Sequence, residues 1–147
     1  MGTRSFIAMK TNTGYKGVYC HWDGYLDHNG RILYEHYKDN FDVAMLLDMG
    51  NMSSLGKSIG DKTSFDAPVP DQCVFYHRDR GEEFRVTTTP TLDRMLRYAE
   101  CSGAQYFYLF DGNLWHCGEL DWQLSSRSEN RFGKLESLEK ALLEGGK

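Results

Sequence analysis

The stretch Gln105-Tyr106-Phe107-Tyr108-Leu109-Phe110-Asp111-Gly112-Asn113-Leu114-Trp115-His116-Cys117-Gly118 decides the fold. Two runs rich in aromatic residues flank Asp111-Gly112-Asn113, whose residue types favour a tight chain reversal, so the segment predicts a β-hairpin. A second hairpin is predicted near the start, with Arg4 to Thr11 and Tyr15 to Trp22 joined at Asn12-Thr13-Gly14. Period-two geometry puts Val18, Cys20 and Trp22 on one face of its second strand and Tyr19, His21 and Asp23 on the other. The first set reads as core; the second carries the chemistry.

Between the hairpins, Asp27 or Asn29 is expected to cap a helix over about 29–38, with Ile32, Leu33 and His36 or Tyr37 on its inner stripe. Asp39 or Asn40 caps a second helix with Val43, Ala44, Leu46 and Leu47 inward, and Gly50 suits a left-handed stop. Residues 51–70 read as a long loop. A third strand is expected from Gln72 to Arg78, turned over at 79–83, with Phe84 to Thr88 extending the sheet. Thr89-Pro90 has the chemistry of a helix start, and Leu92, Met95, Leu96 and Ala99 line that helix. After the 105–118 hairpin comes a polar loop from Asp121 to Arg131, with a short strand around Trp122 to Leu124. A final helix is expected from Lys134 to Leu143, with Leu135, Leu138, Ala141 and Leu142 inward. Hairpins outnumber βαβ units in this order. The prediction is one α+β domain over residues 1–147: a mostly antiparallel sheet built from hairpins, with three to four helices packed mainly on one face.

The composition agrees with one globular domain. The chain has 147 residues, 40% hydrophobic and 26% charged. Lys and Arg total 17 against 21 Asp and Glu, a net charge of −4, which argues against non-specific coating of nucleic acid but not against a local basic pocket. No apolar run approaches the roughly 20 residues of a membrane span, and the first residues lack a signal-peptide core, so a soluble intracellular chain is expected. Aromatic residues reach 14% and fall beside His, Asp and Arg, an arrangement that suits planar ligands as well as sheet surfaces.

Cys20, Cys73, Cys101 and Cys117 form no C-x-x-C pair and read as small buried residues rather than disulfides. Cys20-His21 and His116-Cys117 are adjacent strand residues pointing to opposite faces, so neither makes a nucleophile–base pair. The histidines lack zinc spacing; His21 with Asp23 and His77 with Asp79 are only a weak metal signal. No metal, cofactor or catalytic residue is assigned. Gly50 to Ser58 imitates the end of a phosphate-binding loop, but the first Gly is misplaced and no strand precedes it.

Two segments are candidate sites. In His21-Trp22-Asp23-Gly24-Tyr25, at a strand end, His21 and Asp23 read as hydrogen-bonding groups and Tyr25 as a stacking surface; Trp22 as a core anchor and Asp23-Gly24 as turn chemistry is the equal alternative. In Tyr76-His77-Arg78-Asp79-Arg80-Gly81-Glu82-Glu83, Arg78 and Arg80 around Asp79 can cradle phosphate or carboxylate. A solvated turn whose charges pair with each other is the alternative favoured by local charge balance. Arg4 can join such a cradle.

Thr3-Arg4-Ser5-x-Ile7-Ala8, Tyr19-Cys20-His21-Trp22-Asp23-Gly24-Tyr25, Ser53-Ser54-Leu55-Gly56, Tyr76-His77-Arg78-Asp79-Arg80-Gly81-Glu82 and Tyr108-Leu109-Phe110-Asp111-Gly112 together resemble a family of small proteins encoded by tailed phages and prophages. The resemblance spans roughly residues 3–117; Leu26 departs from it, standing where the family has Pro. It carries no assigned activity and implies a viral accessory protein acting in the host cytoplasm.

These readings lead to a non-catalytic phage counter-defence protein that sequesters a small anionic, nucleotide-derived host signal. In it Tyr25, Trp22 or Trp115 stack on a base, Arg4, Arg78 and Arg80 hold phosphate, and His21, Asp23 and His77 read polar edges, with Asp79 between the arginines. The alternatives are a protein that inhibits a host enzyme by binding it, and a His/Asp-based nucleotide phosphodiesterase. Exposed aromatics at sheet edges also point to self-association.

Overall fold

A computed structural model describes residues 3–64, 66–67, 69–121 and 131–145. The two sequence-evident hairpins form the middle of one sheet. β1 (Ser5–Thr11) pairs antiparallel with β2 (Gly14–Cys20), and β6 (Tyr106–Phe110) pairs antiparallel with β7 (Trp115–Glu119). They meet along a parallel β1–β6 pair, with Phe6 opposite Phe107 and Ile7 opposite Tyr108. β3 (Met52–Ser54) runs parallel to β2, β4 (Val74–Phe75) closes that edge, and β8 (Glu136–Ser137) closes the other. β5 (Thr87–Thr89) pairs with the far half of β2. The order is β4-β3-β2-β1-β6-β7-β8. The sheet is therefore mixed but mostly antiparallel, as expected; its parallel strand pairs are β1–β6 and β2–β3.

Alternation along β1 sorts the core into two layers. Ile7 and Met9 join Val18, Cys20 and Tyr108 beneath α1 (Arg31–His36), α2 (Asn40–Leu47) and α5 (Leu138–Gly145). Phe6 and Ala8 join Phe107 and Leu109 beneath α4 (Leu92–Cys101). Three helices thus cover one face and one covers the other. Gly17 lets α4 come close, because a Cβ there would meet the Phe6 ring at 2.6 Å and the Met95 sulfur at 3.0 Å. With the short α3 (Tyr76–Arg80) there are five α-helices among the described residues, one or two more than expected.

Several local expectations are corrected. The third strand stops at Phe75. The Asp79 carboxylate reaches back to accept the Phe75 N–H at 2.8 Å and the Thr63 N–H at 2.9 Å, and the chain coils into α3, which Gly81 ends with φ 68°. The α4 cap is Thr91, which accepts the Arg94 N–H at 3.3 Å, not Thr89; Thr89 stays in β5, paired with Tyr15. The helix expected over 29–38 begins as a π-helical turn (Leu26–Gly30) and continues as α1, without a side-chain cap on either. The 51–70 loop contains β3, and β8 occupies the start expected for the last helix. Asp39 does cap α2, accepting the Asp42 N–H at 2.8 Å, and Gly50 is left-handed at φ 83°. The strand expected around Trp122 to Leu124 lies outside the described residues.

Candidate ligand-binding face

Beyond Cys20 the chain of β2 stays on the ladder to β3 for two residues: His21 N–H donates to Met52 O at 3.1 Å and Trp22 N–H to Ser53 O at 3.0 Å. It then turns sharply. Asp23 adopts the left-handed region at φ 56°, which Asp tolerates better than bulkier residues. Gly24 follows, pressed so close to the first strand that a Cβ would meet Ser5 Cβ at 2.7 Å. Its N–H donates to Thr3 O at 2.7 Å, and its carbonyl accepts the buried Tyr108 hydroxyl at 2.6 Å. Fully buried Asn29 ties the other side, its Nδ2 reaching Ser5 Oγ at 3.2 Å and Trp22 O at 3.3 Å. Buried polar groups with satisfied partners fix this turn, so the side chains it presents are held in place. Trp22 and Tyr25 are 43% and 41% exposed. Trp22 is therefore not a core anchor.

Tyr19 and His21 project from the same strand face, and the Tyr19 hydroxyl lies 2.8 Å from His21 Nδ1. His21 also meets the Trp22 ring edge-on at 4.7 Å between centroids. Burial first, then the positive charge of Arg4, pushes the His21 imidazole below its ordinary pKa, so it is neutral near pH 7. Burial raises Tyr19, an effect that Arg4 opposes. The neutral pair offers both a donor and an acceptor.

Across β3, Asn51 links this strand to α3: its side-chain oxygen accepts the Tyr19 N–H at 2.9 Å and its backbone carbonyl accepts the Tyr76 N–H at 3.2 Å. The Arg80 guanidinium stands 5.9 Å from the Tyr76 ring centroid. One face thus holds Arg4, Tyr19, His21, Trp22, Tyr76 and Arg80.

Other sequence candidates go elsewhere. Arg78 turns inward, bonding Gly60 O at 2.8 Å, Ile59 O at 3.0 Å and Cys73 O at 3.3 Å while pairing with buried Asp79 at 2.9 Å. That pair fastens the loop before β4. His77 lies 2.9 Å from Glu82 O and edge-on to Phe84. Trp115 is 5% exposed and donates its indole N–H to Tyr37 O at 2.7 Å, at the opposite end of the sheet from His21. Asp23 and Tyr25 stay beside the face on the pinned turn. Tyr19 and Tyr76 belong to the face although sequence reasoning left them off the site; the signal was the i, i+2 spacing of Tyr19 from His21.

The face is open. Clefts of about 270, 410 and 570 Å³ lie elsewhere, and none is lined by a predicted site residue. Comparison with protein-family models, curated proteins and solved structures finds no match. Among the described residues, no three His, Cys, Asp or Glu side chains gather to hold a metal ion. The thiols of Cys20 and Cys117 are pushed up to about 12 by burial, which keeps them protonated and poor nucleophiles.

Proposed function

We propose that this chain is a non-catalytic binding protein that holds a small anionic, base-bearing ligand, a nucleotide derivative, on the Arg4–His21–Arg80 face. The observation that carries the reading is the neutral Tyr19–His21 pair flanked by the Arg4 charge on one side and the Tyr76–Arg80 pair on the other. Arginines supply charge-assisted contacts to phosphate, and Trp22 and Tyr25 supply flat surfaces for a base, with stacking contributing about 1–3 kcal/mol per base. His21 and Asp23 read polar edges. The resemblance to phage-encoded proteins supports a role in the infected cell, where sequestering a nucleotide signal would blunt a defence response. Calorimetric titration against mononucleotides, ADP-ribose and dinucleotides should give saturable heat with at least one of them. Mass spectrometry should return that ligand unchanged. No heat with any member of the panel contradicts the reading, and an altered ligand means turnover.

The exposure of two neighbouring aromatic side chains favours one other reading, an inhibitor that docks on a host enzyme through Trp22 and Tyr25. Aromatic side chains preorganised on a rigid turn are the kind that dominate protein interfaces. A stoichiometric host protein captured by the native chain and lost with Trp22→Ala would support that reading.

A further inference from the structure

Resting for its ligand on the nucleotide reading above, we infer that Tyr19 is a positioning residue for His21. The Tyr19 hydroxyl donates to Nδ1 and so fixes the tautomer that carries its proton on Nε2, the atom that meets a phosphate oxygen of the ligand. The strand brings the two side chains together. They are two residues apart on β2, so both project from the face that carries Phe6, the partner of Tyr19 in the ladder. The hydroxyl lies 2.8 Å from Nδ1, with the rings tilted 52° to one another.

Chemistry sets the direction of that hydrogen bond. A phenol oxygen is a weak acceptor because its lone pair is delocalised into the ring, whereas the unprotonated nitrogen of a neutral imidazole is a strong one. Burial keeps the proton on Tyr19, and burial followed by the charge of Arg4 keeps His21 neutral near pH 7. The phenol therefore has a proton to give, and among the described residues its hydroxyl has no partner besides Nδ1. A neutral imidazole that accepts at Nδ1 holds its proton on Nε2. Nε2 has no hydrogen-bond partner among the described residues, so it is a half-buried donor without an acceptor. Arg4 decides what kind of acceptor fits. Ser5 pairs with Cys20, so extending that register by one residue sets Arg4 across from His21. The Arg4 side chain lies at the end of α4, where a Cβ on Gly103 would come 3.1 Å from Arg4 Nη1. Arg4 is exposed and has no carboxylate at ion-pair distance among the described residues. A neutral N–H donor beside an uncompensated arginine suits a phosphate oxygen and turns away a ligand donor such as an exocyclic amino group.

Long-range nitrogen–proton NMR of the isotope-labelled free chain, at about pH 7.5, reads the tautomer with no ligand present. The His21 ring should show a protonated Nε2 and an unprotonated Nδ1. Tyr19→Phe keeps the ring but removes the donor, so the two nitrogen resonances should move toward one another as the tautomers mix. A protonated Nδ1 in the native chain overturns the inference, and so does a Tyr19→Phe spectrum identical to the native one. If the variant does not fold, the native spectrum decides alone. Added ADP-ribose should shift the Nε2 resonance and leave Nδ1 in place; saturable amide shifts with no change at Nε2 would overturn the phosphate contact. Failure of ADP-ribose, mononucleotides and dinucleotides alike to shift any resonance would overturn the nucleotide reading and the phosphate contact with it, whereas the role of Tyr19 stands or falls on the free-chain spectrum.

Discussion

The Asp79 carboxylate works inward: it accepts the Phe75 and Thr63 N–H groups and pairs with Arg78, itself bonded to three backbone carbonyls. Burial opposes its ionisation, but the Arg78 hydrogen bond, with those from Phe75 and Thr63, outweighs burial and holds the carboxyl below its ordinary value. A depressed carboxyl stabilises the fold above the unfolded-chain pKa of about 3.9, and that contribution is lost as pH falls through the lower folded value. Asp79→Ala should therefore cost about 3 kcal/mol at pH 7 in urea denaturation, because it leaves a mostly buried guanidinium without its counter-ion. Asp79→Asn should also flatten the acid limb of stability between about pH 5 and 2. His21 titrates in the other direction. It is neutral near pH 7 and gains positive charge only as pH falls below the ordinary imidazole range of about 6.5, so a phosphodiester ligand should bind more tightly on the acid side of that range than at about pH 7.5. A His21→Asn variant whose affinity keeps the same pH dependence would rule that out.

At the scale of elements, the turn from His21 to Tyr25 is held by Tyr108 from β6 and Asn29 from the π-helical turn. Tyr108→Phe leaves the Gly24 carbonyl buried without its donor and should cost about 1–3 kcal/mol. Amide exchange should accelerate first at 21–25 if the hydroxyl pins that turn, and should stay unchanged there if it does not. Both hairpins were legible because period-two patterns and Asp-Gly or Thr-Gly turns act locally. The 72–78 segment was not. Gln72 to Arg78 has strand-like composition, but Asp79 satisfies the Phe75 N–H that would have continued the ladder, a contact local pattern does not reveal. Thr91 is the α4 cap for a similar reason, since Thr89 is held in β5 by the register with Tyr15. Thr91→Ala should lower stability by about 1 kcal/mol.

Across the whole molecule, the strand order brings Arg4, Tyr19, His21, Trp22, Tyr76 and Arg80 together and sends Trp115 to the far end of the sheet. The His21 segment was recognisable because a Gly at a strand end frees its neighbours to face outward. Arg78 and Arg80 looked interchangeable in sequence, and only the fold separates the structural arginine from the one on the face. That face, with its exposed arginine and aromatic groups, is the central claim. The most direct test is an amide and indole NMR titration of the full chain with ADP-ribose and with a dinucleotide. Saturable shifts at Tyr19, His21, the Trp22 indole, Tyr76 and Arg80 are the predicted result. Shifts confined to the 570 Å³ cleft around Lys10, Asn40 and Asp111, or no shifts at all, would contradict it.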